Sequence, residues 1–217
     1  PPGRRAMLEK LRAAVATAAL SLLEAGLVRG TAGNVSARAG ELVAVTPTGV
    51  GYRRLDQGSI PVVDLDGRVV DGGLAPSSEL PLHLAVYRAR PDVGAVVHTH
   101  SVFATTLAVL GEELPAVHYL LAHAGRRVRL APYATYGTGE LADACVAALA
   151  TDGAVLLANH GVVAVGPGLD RALLVAEAVE QVAELCWRAR CLGTPVVLPD
   201  AEMDRVARAF ERYGQAQ

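Results

Sequence analysis

Two histidines one residue apart, His98 and His100, close the short apolar run Val-Gly-Ala-Val-Val at 93–97. The run is valine-rich and follows Pro91-Asp92, which marks a buried strand. Side chains two apart on a strand point to the same face. The pair therefore aims two imidazoles at one point, with Thr99 turned away, and forms a two-ligand arm for a transition metal. A third ligand is found further along. Asn159-His160-Gly161 stands between two apolar runs, 155–158 and 162–165, a polar interruption that packing does not explain. His160 is the candidate. Three histidines leave one position open on zinc, the pattern of a catalytic rather than a structural ion. Glu79 precedes His98 by 19 residues, near enough to return across one helix–strand turn. A carboxylate beside an electrophilic metal acts as a ligand at rest and as a base once substrate displaces it.

Three short stretches offer a second chemistry. Gly30-Thr-Ala-Gly-Asn34 and Thr46-Pro-Thr-Gly49 are turns with backbone N–H groups and short polar side chains, which form nests for anions. Ser77 and Ser78 place two hydroxyls at the start of a helix, where phosphate is favoured. A plain turn or helix cap accounts equally well for each stretch alone. Together, a metal, a carboxylate and a phosphate cradle point to proton abstraction next to a carbonyl.

The elements that must hold these groups can be read from periodicity. Leu8, Leu11, Val15, Ala18, Leu22 and Leu23 predict an amphipathic helix over 5–27, ending at or just past Gly26. A strand is expected at 42–45 and a hairpin over 60–73 around Asp66-Gly67. A helix follows over 79–90, with Ser78 as its N-cap and Pro81 tolerated in the first turn. His83 lies on that helix as a packing or hydrogen-bonding residue. Helices are further predicted over 102–110, 140–149, 169–192 and 200–212, and a short strand over 128–130. Short strands separated by turns or single helices give an α/β fold, a central, mainly antiparallel sheet sandwiched by helices.

Bulk properties narrow the function. A chain of 217 residues fits one domain, spanning 1–217. A net charge of -2 without a basic stripe argues against nucleic acid as a partner. No apolar run reaches the roughly 18 residues of a membrane span. The first residues lack a signal peptide's apolar region. Cys145, Cys186 and Cys191 have no zinc-finger spacing and read as reduced thiols of a cytoplasmic protein. The single lysine, Lys10, lies in the first helix, which argues against a lysine Schiff-base mechanism.

The blocks G-T-A-G-N-V-S-A-R, T-P-T-G, P-S-S-E, R-P-D-V-G-A-V-V-H-T-H-S, P-A-V-H-Y, A-P-Y-A-T-Y-G-T and N-H-G occur in that order across almost the whole chain. In this the sequence resembles the class II aldolase/adducin family, on the side of its ketose-1-phosphate aldolases. The resemblance implies one Zn2+ per subunit on His98, His100 and His160, with Glu79 as the acid/base carboxylate. It implies a phosphate cradle of Gly33, Asn34, Thr48, Gly49, Ser77 and Ser78. Tyr119 matches the tyrosine that protonates the aldehyde oxygen in a neighbouring subunit's site, and Tyr213 a tyrosine of the tail that closes over the site. Tyr136 falls where the family's aldolases often carry Phe near the aldehyde, a departure that bears on aldehyde preference. The implied assembly is a homotetramer with sites between subunits. The implied reaction is reversible cleavage of L-fuculose 1-phosphate, or a similar ketose 1-phosphate such as 5-deoxyribulose 1-phosphate, to dihydroxyacetone phosphate and an aldehyde such as L-lactaldehyde. Two other activities of such a fold are a pentulose-5-phosphate 4-epimerase and a non-enzymatic adducin-like module. The latter would be expected to lack the metal ligands.

Overall fold

The computed structural model describes residues 2–212. Tyr213 lies outside the described residues. Eight strands form one sheet: β1 (Asn34–Ala39), β2 (Leu42–Val45), β3 (Val62–Asp64), β4 (Val69–Asp71), β5 (Ala95–Thr99), β6 (Arg129–Ala131), β7 (Ala154–Leu157) and β8 (Gly161–Gly166). Their order across the sheet is β4-β3-β2-β1-β5-β8-β7-β6. Every neighbouring pair is antiparallel except β6 and β7. The expected mainly antiparallel sheet is therefore present. Helices α1 (Pro2–Glu24), α2 (Leu80–Ala89), α3 (Val102–Leu110), α4 (Gly139–Leu149), α5 (Leu169–Leu192) and α6 (Asp200–Phe210) complete the fold.

The period-2 alternation of the central strands divides the core in two. Val35, Val97, Val162 and Ala164 face one side, where Leu22 of α1, Leu107 of α3 and Val179 of α5 cover them. Val96, Val163 and Val165 face the other, against Val86 and Tyr87 of α2 and Leu141 of α4. Strands β5 and β8 are buried along their whole length because helices lie on both faces. On β5 this parity sends His98 to the α2 side, the side that carries the chemistry.

Three expectations shift. Helix α1 stops at Glu24, before Gly26 at φ +73°, a left-handed conformation that only glycine adopts at little cost. The last helix stops at Phe210. Ser78 is not the N-cap of α2: the cap is Glu79, whose backbone N–H donates to Ser77 Oγ at 3.2 Å. Ser78 stays exposed, with no capping bond to make. No helix among the described residues is long and apolar enough to cross a membrane.

Candidate active site

His98 sits inside β5 and His100 just past its end, so the pleat and the strand end together turn both rings to one point. Their Nε2 atoms are 3.0 Å apart. His160 arrives from the turn joining β7 to β8, where Asn159 takes φ +54°, a left-handed value that Asn tolerates better than most side chains. The three ring centroids form a nearly equilateral triangle with sides of 4.9, 4.8 and 5.0 Å. Glu79 closes the cluster, with Oε2 3.1 Å from His98 Nε2 and Oε1 3.3 Å from His160 Nε2. The ligand atoms of the four residues all lie within 4.8 Å of one another.

This donor set fits a divalent metal. His98 Nδ1–H donates to the Val162 carbonyl at 3.0 Å, which leaves Nε2 with a lone pair facing the cluster. Burial, reinforced by the neighbouring His98 and His160 rings, lowers the pKa of His100 to about 4, so its ring is a neutral ligand at pH 7. Glu79 Oε1 is buried and, among the described residues, has no donor in hydrogen-bonding geometry. A buried carboxylate oxygen and converging imidazole lone pairs are costly unless a cation meets them. Burial opposes ionisation of Glu79, but N–H donation from the His160 and His98 rings in their protonated forms and from the Asn34 amide outweighs it and holds the carboxyl well below the usual carboxylate range.

Glu79, His100 and His160 open onto a cavity of about 370 Å3. Its wall brings together the sequence-predicted Gly33, Asn34, Thr48, Gly49, Ser77 and Ser78, and also Tyr136. The backbone ties these loops to each other. Thr46 N–H donates to the Val35 carbonyl at 2.9 Å, Ser77 N–H to Thr46 at 3.0 Å and Thr48 N–H to Ala75 at 3.1 Å. Tyr52 holds the first turn, its hydroxyl donating to the Ala32 carbonyl at 3.1 Å. Burial, and then the charge of Glu79, push the Tyr52 hydroxyl pKa upward and keep it protonated. Gly33 is required here: at φ +82°, a Cβ would stand 2.7 Å from the His98 carbonyl oxygen.

Tyr119 and Asn34 differ from the other expected residues in their surroundings. Tyr119 begins a 3-10 turn, Tyr119–His123, is 47% exposed, and packs beside His118 and Phe210 rather than lining this chain's own cavity. Asn34 is in the wall, but its amide already bonds Glu79 and His83, leaving one N–H for a ligand. Sequence reasoning assigned no role to Tyr133 and Asn159, which also line the cavity. Each lies in a block already singled out, A-P-Y-A-T-Y-G-T at 131–138 and Asn-His-Gly at 159–161, but only the folded loops show that they face the site.

Comparison with known proteins agrees with the geometry. Residues 13–187 match the model of the Class II Aldolase and Adducin N-terminal domain. The chain belongs to the class II aldolase/adducin family. A 5-deoxy-D-ribulose 1-phosphate aldolase of Bacillus thuringiensis serovar kurstaki is 44% identical, over 96% of this chain and 99% of its own. An L-fuculose phosphate aldolase of Escherichia coli K12 is 41% identical, over 94% and 96%. A solved structure of an L-fuculose 1-phosphate aldolase superposes with a TM-score of 0.91 at 42% identity, covering 93% of this chain and 96% of that one. The fold is that of a class II aldolase, and the Glu and three-His cluster sits in it as a metal-binding group.

Proposed function

We propose that this class II aldolase reversibly cleaves a deoxyketose 1-phosphate, L-fuculose 1-phosphate or 5-deoxyribulose 1-phosphate, into dihydroxyacetone phosphate and a short aldehyde, with zinc as its metal. The observation that carries the reading is the placement of Glu79. It is an ionised carboxylate with one unpartnered oxygen, among three histidine nitrogens and in the wall of a cavity lined by glycines and hydroxyls. Four nitrogen and oxygen donors suit zinc. The two candidate substrates share the dihydroxyacetone phosphate half, so one cradle serves both, and they differ only in the methyl-bearing aldehyde. The relatives' names support both aldehydes, at 44% and 41% identity.

In the direction of synthesis, Gly33, Thr48, Gly49, Ser77 and Ser78 hold the phosphate, with the free Asn34 N–H beside them. A bound divalent cation supplies the Lewis acid that polarises the substrate carbonyl. Glu79 takes a proton from the hydroxymethyl carbon. The electron pair left there forms the new bond to the aldehyde carbon. The Tyr119 hydroxyl of a neighbouring subunit gives its proton to the aldehyde oxygen, and Tyr136 borders the aldehyde. Cleavage runs the same steps backwards. No lysine lines the cavity, in keeping with a route that needs no Schiff base. That Glu79, His98, His100 and His160 lie together supports an enzyme over the adducin-like alternative.

The test is release of dihydroxyacetone phosphate from each substrate by zinc-loaded protein. Glu79→Gln should lower kcat by about 10²–10⁴-fold. The ranking of kcat/KM names the aldehyde. A zinc-loaded protein that releases none from either substrate refutes the proposal.

A further inference from the structure

Behind Glu79 and Asn34 runs a buried row of polar groups, His83, Ser36 and Tyr87, that the reaction above does not use. Glu79, His83 and Tyr87 stand at i, i+4 and i+8, one stripe along α2. Asn34 and Ser36 stand at i and i+2 on β1, on the sheet face opposite to Val35 and Ala37. The two stripes interlock. Tyr87 Oη lies 2.8 Å from Ser36 Oγ, Ser36 Oγ 2.6 Å from His83 Nδ1, His83 Nε2 2.5 Å from Asn34 Oδ1, and Asn34 Nδ2 2.8 Å from Glu79 Oε2. All five residues are buried, and His83 and Ser36 have no exposed surface.

We propose that His83, Ser36 and Tyr87 are positioning residues that lock the Asn34 amide with its NH2 group toward Glu79. This rests on the reading of Glu79 as the acid/base carboxylate. The hydrogen bonds have one consistent direction. An ionised carboxylate only accepts, so Asn34 donates to it through Nδ2. The Asn34 carbonyl must then accept from His83 Nε2–H. That places His83 in the Nε2–H tautomer and makes its Nδ1 an acceptor. Ser36 O–H donates to Nδ1, and the Ser36 oxygen accepts from Tyr87 O–H. A flipped Asn34 would set its carbonyl against the carboxylate and its NH2 against the His83 N–H. Burial, with a smaller push from His98, lowers the pKa of His83 to about 3, so the ring stays neutral as the row requires. Bonds aligned in one direction also polarise one another in a dry interior.

The experiment has two arms, both on the full chain. Nitrogen NMR of the imidazoles in the unmodified protein reads the His83 tautomer without any substrate. Nε2–H is expected, and an Nδ1–H or doubly protonated ring overturns the proposal. The second arm measures kinetics on the sugar phosphates and zinc affinity by chelator competition for Ser36→Ala, His83→Leu and His83→Gln. Ser36→Ala and His83→Leu should lower kcat about 10–100-fold and loosen zinc, while KM moves about threefold or less. Gln can supply both a donor and an acceptor, so His83→Gln should recover most of kcat. Unchanged kcat in a folded Ser36→Ala, or a Gln variant no better than Leu, overturns the idea. If His83→Leu does not fold, Ser36→Ala and the tautomer decide. If the unmodified protein cleaves neither sugar phosphate, the substrate reading fails, while the tautomer and zinc measurements still judge the row.

Discussion

A methyl group on residue 161 would stand 2.3 Å from the Thr99 carbonyl oxygen, 2.9 Å from His100 Cδ2 and 3.3 Å from His98 Cε1. Glycine at this position lets β8 pass close enough to β5 for His160 to join the other two rings. Alanine would push the strands apart at the metal cluster itself. Gly161→Ala is therefore expected to cost about 1–3 kcal/mol in urea denaturation and to weaken zinc binding about tenfold or more in chelator competition. Gly139→Ala, on the first turn of α4 with open space around its Cβ position, is the control and should be neutral or slightly stabilising. A Gly161→Ala protein with zinc affinity unchanged would mean that the close approach does not matter to the site. The same residues show what a sequence reveals and what it hides. An H-x-H at a strand end and an Asn-His-Gly between two apolar runs are local signals, and both lead to ligands. The side-chain pairing of Asn34 with Glu79 joins positions 45 residues apart. Nothing near either residue signals it, because the contact exists only after α2 has packed on β1.

Helix α3 starts immediately after His100-Ser101, and its own cap residue, Ser101, makes no side-chain capping bond. The first turn is capped instead from another element. Glu180 of α5 accepts from Phe103 N–H at 2.9 Å and Ala104 N–H at 2.8 Å, one carboxylate oxygen each. The negative charge also faces the positive end of the α3 dipole. Glu180→Ala should cost about 1–2 kcal/mol in urea denaturation. Glu180→Gln should cost less, because its amide keeps one acceptor. Equal stability of the Ala variant and the unmodified protein would show that water replaces this cap at no cost. At this scale the sequence is most legible where elements are long and bounded by glycine. Helices α3 and α5 run over the residues that periodicity predicts, each closed by a glycine, Gly111 and Gly193. The hairpin around Asp66-Gly67 forms as its turn residues demand, with Gly67 at φ +86°. Tertiary capping is not legible, since neither the Glu180 nor the α3 sequence carries a local signal for it. The N-cap of α2 misleads for a related reason. Ser77 and Ser78 are equivalent locally, but the Thr46 carbonyl takes the Ser77 N–H, Ser77 is buried with its hydroxyl accepting from Glu79 N–H, and the cap falls on Glu79.

At the scale of the whole molecule, the proposed role of Tyr119 requires a second copy of the chain. The chain's own cavity is bordered by Tyr133 and Tyr136, while Tyr119 faces outward beside Phe210 of α6. Leu110 at the end of α3, and Leu192 and Val196 around the end of α5, are also exposed. If the chain forms the homotetramer that the family resemblance implies, each site takes Glu79 from one subunit and Tyr119 from the next around the ring. Two inactive variants should then rescue each other. Glu79→Gln alone and Tyr119→Phe alone lose activity, but a subunit carrying Tyr119→Phe still offers Glu79, and its Glu79→Gln neighbour still offers Tyr119. With random mixing, each junction has the productive order in about one case in four, so co-expressed variants should reach about a quarter of the unmodified activity per site. Sedimentation velocity on the same sample should give the mass of four subunits. If the mixed sample is no more active than the average of the two variants, while remaining a tetramer, Tyr119 does not act across the interface, and the proton for the aldehyde oxygen must come from a residue of the chain that binds the metal, with Tyr133 and Tyr136 the next to replace.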